Sequence, residues 1–274
     1  MDYPRLSETV KIKKVSETDK EGVFEIEGLY TGYGLTLGNA LRRVLLSSLP
    51  GAAITQVKIK GAEHEFSTIP GILEDNLELV LNLKKVRFHF HATESQILTL
   101  KVKGEKEVTA ADIKANAQVE VVNPDCHIAT LSNKNAELDM ELTVEKGSGY
   151  VPVEARKIEK LGIKTIAIDA IFTPIVKINF DIENMRVGER TDFNRLKILI
   201  ETDGSISPSS ALHKACNILK DHFEKISEIE VKDEEAEVIG GEKKPEEKTE
   251  PRNSTKLSLR GEPEKKKRGR KKKQ

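Results

Sequence analysis

His89 and His91 stand two residues apart, which puts both imidazoles on one face of any strand that carries them, as in a pair of metal ligands. Such a site needs further ligands and none is evident beside them, so a surface pair is the expectation. His64, between Glu63 and Glu65, offers no better set. Cys126 and Cys216 are far apart in the chain, and two thiols by themselves cannot complete a four-thiolate zinc or iron–sulfur site. Cys216, close to Leu212 and Leu219, is expected to be buried in packing. Phosphate chemistry fares no better. There is no GxxxxGK[ST] loop, and the glycines of GSGYVP and GYGLTLG fit no dinucleotide fingerprint and read as turns. No clustered aspartate motif is present to hold magnesium. The residues spell out no reaction centre, and no cofactor is expected in this chain.

Recognition chemistry is easier to find. On a helix that advances about 100° per residue, Leu37, Leu41, Val44 and Leu45 cluster on one side with the small Ser48, and that side is the core stripe. Asn39, Arg43 and Leu46 fall on roughly the opposite side, and Arg42 lies nearer the flank, where a local salt bridge would account for it. An arginine beside an asparagine and a leucine is a plausible contact patch, and a solvated surface is the alternative that periodicity leaves open. At the other end KKKRGRKKK places eight positive charges in nine residues. Lys267, Arg268, Arg270 and Lys271 are candidate phosphate contacts with steep salt dependence and little sequence preference. Arg268-Gly269-Arg270 is similar to the centre of an AT-hook without its flanking prolines, and a solubilising tail is the competing reading.

The elements that must position these residues follow from period. Alternation over Val23–Ile26, Val57–Ile59, Leu98–Val102, Leu138–Val144, Val176–Phe180 and Leu196–Ile200 predicts half-buried strands of a largely antiparallel sheet. Helical spacing predicts a helix over Leu37–Leu49, capped by Thr36 or Asn39 and stopped by Pro50-Gly51. A second is predicted over about Leu73–Leu83, and a third from the Ser207-Pro208 cap to about Ile229. In the third, Leu212, Ala215, Leu219, Phe223 and Ile226 form a seam for another helix. From about Asp233 the large apolar residues thin out and no aromatic follows, so this part is expected to be disordered. The formal charge is +0, the sum of a mildly acidic body and the cationic end. No apolar run is long enough to span a membrane, and the opening residues show no secretory signal.

GLTLGNALRRVLLSSLPG (34–51), HEFSTIPGILEDNLELVLNLK (64–84), VTAADI (108–113), GSGYVPVEAR (147–156) and the long segment from Ile168 to Pro208 resemble, in order, the alpha subunits of bacterial-type DNA-directed RNA polymerase. The resemblance covers about residues 5–230. It implies an α+β fold with a discontinuous dimerisation subdomain (1–51 and 167–230; antiparallel sheet plus two helices), an inserted β-rich subdomain (52–166), and then the charged tail (231–274). It implies a second alpha chain, with Leu41, Leu45, Leu212, Leu219 and Phe223 at the dimer interface. It implies binding of the beta subunit through Arg43, with Arg42, Asn39 and Leu46. It implies binding of beta-prime through Lys84 and the strand from Ile168 to Pro174. Omega and sigma would complete the holoenzyme, the catalytic magnesium would belong to beta-prime, and the location would be the cytoplasm, at the nucleoid. The family's usual carboxy-terminal helical domain finds no counterpart after residue 230. An independent dimeric nucleic-acid-binding protein, using the basic tail, is the alternative function.

Overall fold

A computed structural model of the chain describes residues 8–62, 64–156 and 164–229. The candidate contacts Lys267, Arg268, Arg270 and Lys271, and the tail expectation as a whole, lie outside these residues.

The elements, in chain order, are β1 Lys11–Glu17, β2 Glu21–Leu29, α1 Tyr33–Ser47, β3 Pro50–Ile59, α2 Asn76–Leu83, β4 Phe88–Phe90, β5 Gln96–Lys103, β6 Lys106–Thr109, β7 Ile113–Lys114 and β8 Val119–Val121. There follow β9 His127–Leu131, β10 Glu137–Ser148, β11 Tyr150–Val151, β12 Thr165–Ala167, β13 Ala170–Ile171, β14 Ile175–Val187, β15 Arg190–Thr202 and α3 Pro208–Ser227. All strand pairings are antiparallel, and the chain is α+β.

Two apolar clusters organise these elements. In the first, a five-stranded sheet runs β12-β3-β10-β5-β7. The alternation along β10 brings Leu138, Met140 and Leu142 opposite Val102, Leu100 and Leu98 of β5, while Met140 and Leu142 face Ile59 and Val57 of β3. One face of the sheet is therefore continuously apolar, and α2 closes it with Leu79 and Leu83. In the second, a four-stranded sheet runs β1-β2-β15-β14. It joins the early strands to the late hairpin and is covered by α1 and α3, whose Leu41, Leu45, Ala211 and Ala215 pack with Phe24, Ile178, Leu196 and Ile198.

The helix ends differ from their sequence expectation for tertiary reasons. α1 begins at Tyr33, a turn before Leu37, because Gly32 takes φ 86° and donates its N–H to Asn194 Oδ1 at 2.9 Å; neither Thr36 nor Asn39 is the cap. α2 begins at Asn76 because Asp75 accepts from the Glu78 N–H at 2.7 Å, while the Leu73 N–H is taken by the Thr130 carbonyl. α3 starts at the expected Ser207 cap with proline in its first turn, and ends at Ser227 instead of Ile229. Cys216 is exposed on α3, not buried. No helix among the described residues is long and apolar enough to cross a membrane.

Candidate protein-interaction surface

Gly34 and Gly38 face the sheet, where α1 has no room for a larger side chain. A Cβ at Gly38 would lie 2.8 Å from the Phe180 ring, and one at Gly34 would lie 3.1 Å from Ile182 and Asn194. The start of the helix is pinned to β15: besides the Gly32–Asn194 bond, Thr31 Oγ1 donates to the Asp192 carboxylate at 2.7 Å. Asp192 is held far below the usual carboxylate range, first by Arg190 and then by Thr31. Arg190 in turn lies over the Tyr30 ring at 4.9 Å and the Phe193 ring at 5.3 Å.

With its inner face locked down, α1 shows Asn39, Arg42, Arg43 and Leu46 to solvent. Arg42 and Arg43 take part in no ion pair among the described residues, so the local salt bridge expected for Arg42 is absent there. Leu35, 56% exposed, extends the same stripe one turn further. Sequence reasoning missed it because the helix was expected to start after it; extending the period backwards from Asn39 would have found it.

α3 behaves differently along its length. Leu212 and Leu219 are half-buried against the chain's own core, but Phe223 is 63% exposed and Ile226 59%. Leu41 and Leu45, assigned to a dimer interface by resemblance, are 5% and 0% exposed in this chain. They fill the space between α1 and the sheet within this chain. Phe223 and Ile226 leave apolar surface exposed at the end of α3.

Lys84 sits at the end of α2 in a groove of about 660 Å³, together with Ile168 and Asp169. Its ammonium pairs with Asp169 Oδ2 at 3.1 Å, and Asp169 Oδ1 accepts the Val153 N–H at 3.1 Å. The Val153 hydrogen bond, then Lys84, hold the Asp169 carboxyl below its ordinary value. Ile168 and Pro174 are buried, and Ile168 reaches the groove only at its wall. Ile168 is committed to the interior because β12 docks on β3, where the Ile168 N–H bonds the Thr55 carbonyl at 2.9 Å. Sequence reasoning missed Phe66, 70% exposed, and Leu77, which line the groove, and Leu73 and Leu81, which continue a leucine stripe at intervals of four. That spacing was legible; it was read only as the period of a helix.

His89 and His91 fall on and just after β4, and no group of three or more ligand-type side chains among the described residues is placed to hold a metal. The engaged histidine is another, His127. Its ring nitrogens lie 3.0 Å from Glu74 and 3.0 Å from Glu107. Glu74 also accepts the Thr130 N–H at 2.7 Å, and these hydrogen bonds hold its carboxyl low against the opposing effect of burial. This cluster ties the segment ahead of α2 to β9 and β6. It is a structural latch that no motif announced.

The architecture is an antiparallel α+β frame whose helices leave polar and apolar side chains exposed. Residues 57–173 match the RNA polymerase Rpb3/RpoA insert domain, and residues 128–223 match the RNA polymerase Rpb3/Rpb11 dimerisation domain. The chain is 46% identical over 239 residues, covering 87% of it and 74% of the relative, to the DNA-directed RNA polymerase subunit alpha of Symbiobacterium thermophilum. It is 48% identical to that of Alkaliphilus oremlandii, covering 78% of this chain and 67% of the relative. Against that of a Roseiflexus species it is 49% identical, covering 83% and 70%. The chain belongs to the DNA-directed RNA polymerase alpha subunit family.

Proposed function

We propose that this chain is a non-catalytic assembly subunit: it homodimerises, and the dimer collects the beta and beta-prime subunits that carry nucleotidyl transfer. The observation that carries this reading is the outer face of α1, where two arginines without an ion pair among the described residues, an asparagine and two leucines are presented by a helix locked to its sheet from behind. A rigid support lets a contact patch bind without first ordering itself. A guanidinium can hold a carboxylate or carbonyls in a planar fork that an ammonium does not reproduce.

Two-fold symmetry does the rest. A dimer formed through the exposed Phe223 end of α3 is isologous and doubles every other surface. Two different large subunits then meet two identical platforms, beta through the α1 face and beta-prime through the groove of Lys84. The chain needs no cofactor for this role, and omega and sigma join through the larger assembly, at the nucleoid in the cytoplasm.

Size-exclusion chromatography with light scattering tests the reading on the full chain, alone and with purified beta. The expected result is a dimer mass alone and a stoichiometric complex with beta. A chain that dimerises and retains nucleic acid but not beta would instead be an independent dimeric nucleic-acid-binding protein, and a chain that stays monomeric would overturn the dimer.

A further inference from the structure

A second, smaller concavity of about 240 Å³ lies where the two apolar clusters adjoin, and the assembly role does not use it. Pro50, Gly51 and Ala52 at the start of β3 line it with little side-chain bulk, beside Phe88, Phe90 and Ile206. Lys146 stands on β10 directly opposite Ala52 in register. Lys214 of α3, His89 and His91 complete the polar part of the lining.

The charge of this lining is one-sided. Its ionised side chains are Lys146 and Lys214, and it contains no carboxylate. Neither lysine takes part in an ion pair among the described residues. Asp203, two residues before the lining residue Ser205, is already engaged: it accepts the Ser205 hydroxyl at 2.6 Å and N–H at 2.9 Å, and pairs with Arg87 Nε at 3.3 Å. Glu145, next to Lys146, falls on the opposite face of β10. Two uncompensated ammonium groups around a small concavity concentrate positive potential there. The volume falls below the roughly 300–1,000 Å³ of pockets that enclose drug-sized ligands.

We propose that this concavity binds a small phosphorylated anion of diphosphate size, gripped by Lys146 from the β10 sheet and Lys214 from α3, with the imidazoles of His89 and His91 as further hydrogen-bond donors. Because β10 belongs to one apolar cluster and α3 to the other, the bound anion ties the two clusters together.

The test uses the full chain with labelled histidines, titrated with inorganic pyrophosphate at constant ionic strength and followed by imidazole NMR. The His89 and His91 signals are assigned from His89→Gln and His91→Gln. They report locally, so pyrophosphate held by the basic run at 265–273 is not counted. The expected result is a saturable shift of both signals. Its midpoint should rise about ten-fold or more in Lys146→Gln and in Lys214→Gln, and stay unchanged in Lys11→Gln on distant β1. Urea midpoints equal to the parent's establish that the variants are folded. A parallel titration with ADP separates the sources: an equal midpoint means that a nucleotide-borne diphosphate suffices, and no response means that the free anion alone is taken. Signals that stay still up to about 10 mM pyrophosphate, that move equally in both lysine variants, or that respond only to duplex DNA overturn the proposal.

Discussion

Replacing Arg43 by alanine should separate folding from assembly. The side chain is exposed on α1 and unpaired among the described residues, so the free chain loses no contact that holds the fold. Alanine is also the best helix former, so the exposed helix does not suffer. Urea unfolding followed by circular dichroism should give a stability within about 0.5 kcal/mol of the parent. Capture of beta is a different matter. An arginine anchor in a desolvated contact contributes about 2 kcal/mol or more, which is about 30-fold in Kd. Arg43→Lys should recover only part of it, since charge returns without the planar fork. Leu45→Ala, two residues on but 0% exposed, provides the contrast. It should cost about 2–5 kcal/mol of folding stability and weaken capture only through unfolding. Titrating labelled beta with each variant and following anisotropy supplies the affinities. If Arg43→Ala captures beta with the parental Kd, or loses capture only in step with a fall in its urea midpoint, the assignment of this face to a partner is wrong.

Three further outcomes are expected. Phe223→Asp puts a charge into the exposed apolar end of α3 and should weaken the dimer by about 30-fold or more, read as monomer by light scattering with the helix signal kept. Glu17 accepts the Ser209 N–H in the first turn of α3 at 2.8 Å, and its hydrogen bond to Lys14, then those to Ser209, pull its pKa down to about 2. Its contribution is complete above the ordinary carboxylate value and is lost as the pH falls through about 2. Glu17→Gln should therefore unfold about 1 kcal/mol more easily at neutral pH, with the gap to the parent narrowing between about pH 4.5 and 2 in acid-titrated urea melts. Truncation after Gly241 removes the basic run and should lower promoter occupancy of the assembled polymerase at low salt, with the difference fading as salt rises; an unchanged upstream footprint counts against a DNA role for the tail.

Much of this frame was legible because its signals are local. The alternation of Leu138–Val144 announced β10, and Ser207-Pro208 announced the start of α3. What period could not supply was the partner of each element. Gly32 opens α1 because Asn194, far along the chain, is there to accept its N–H, and no local cap reading could foresee that. The same limit governs the surface. Period put Leu41 and Leu45 in a core stripe and the resemblance put them at a dimer interface; the sheet beneath α1 buries both within this chain. Ile168 and Pro174 carry a family motif and are buried, and the exposed side chains of the groove include Phe66 and Leu77, which no motif marked. His127 was overlooked for a related reason. Its two carboxylate partners are distant in sequence, and an isolated histidine has no pattern to betray it.

Gly34 and Gly38 are buried, yet they determine how high α1 rides above its sheet. The thickness of that layer is the distance from the interior to the assembly surface, so it acts as a dimensional tolerance for everything docked outside. A methyl group at Gly38 would press on Phe180 and lift the helix by a fraction of an ångström, carrying the arginines with it while leaving each of them chemically intact. Assembly defects in this chain should therefore arise at hidden positions as well as visible ones. A search for them confined to surface residues would overlook the two smallest residues in the helix.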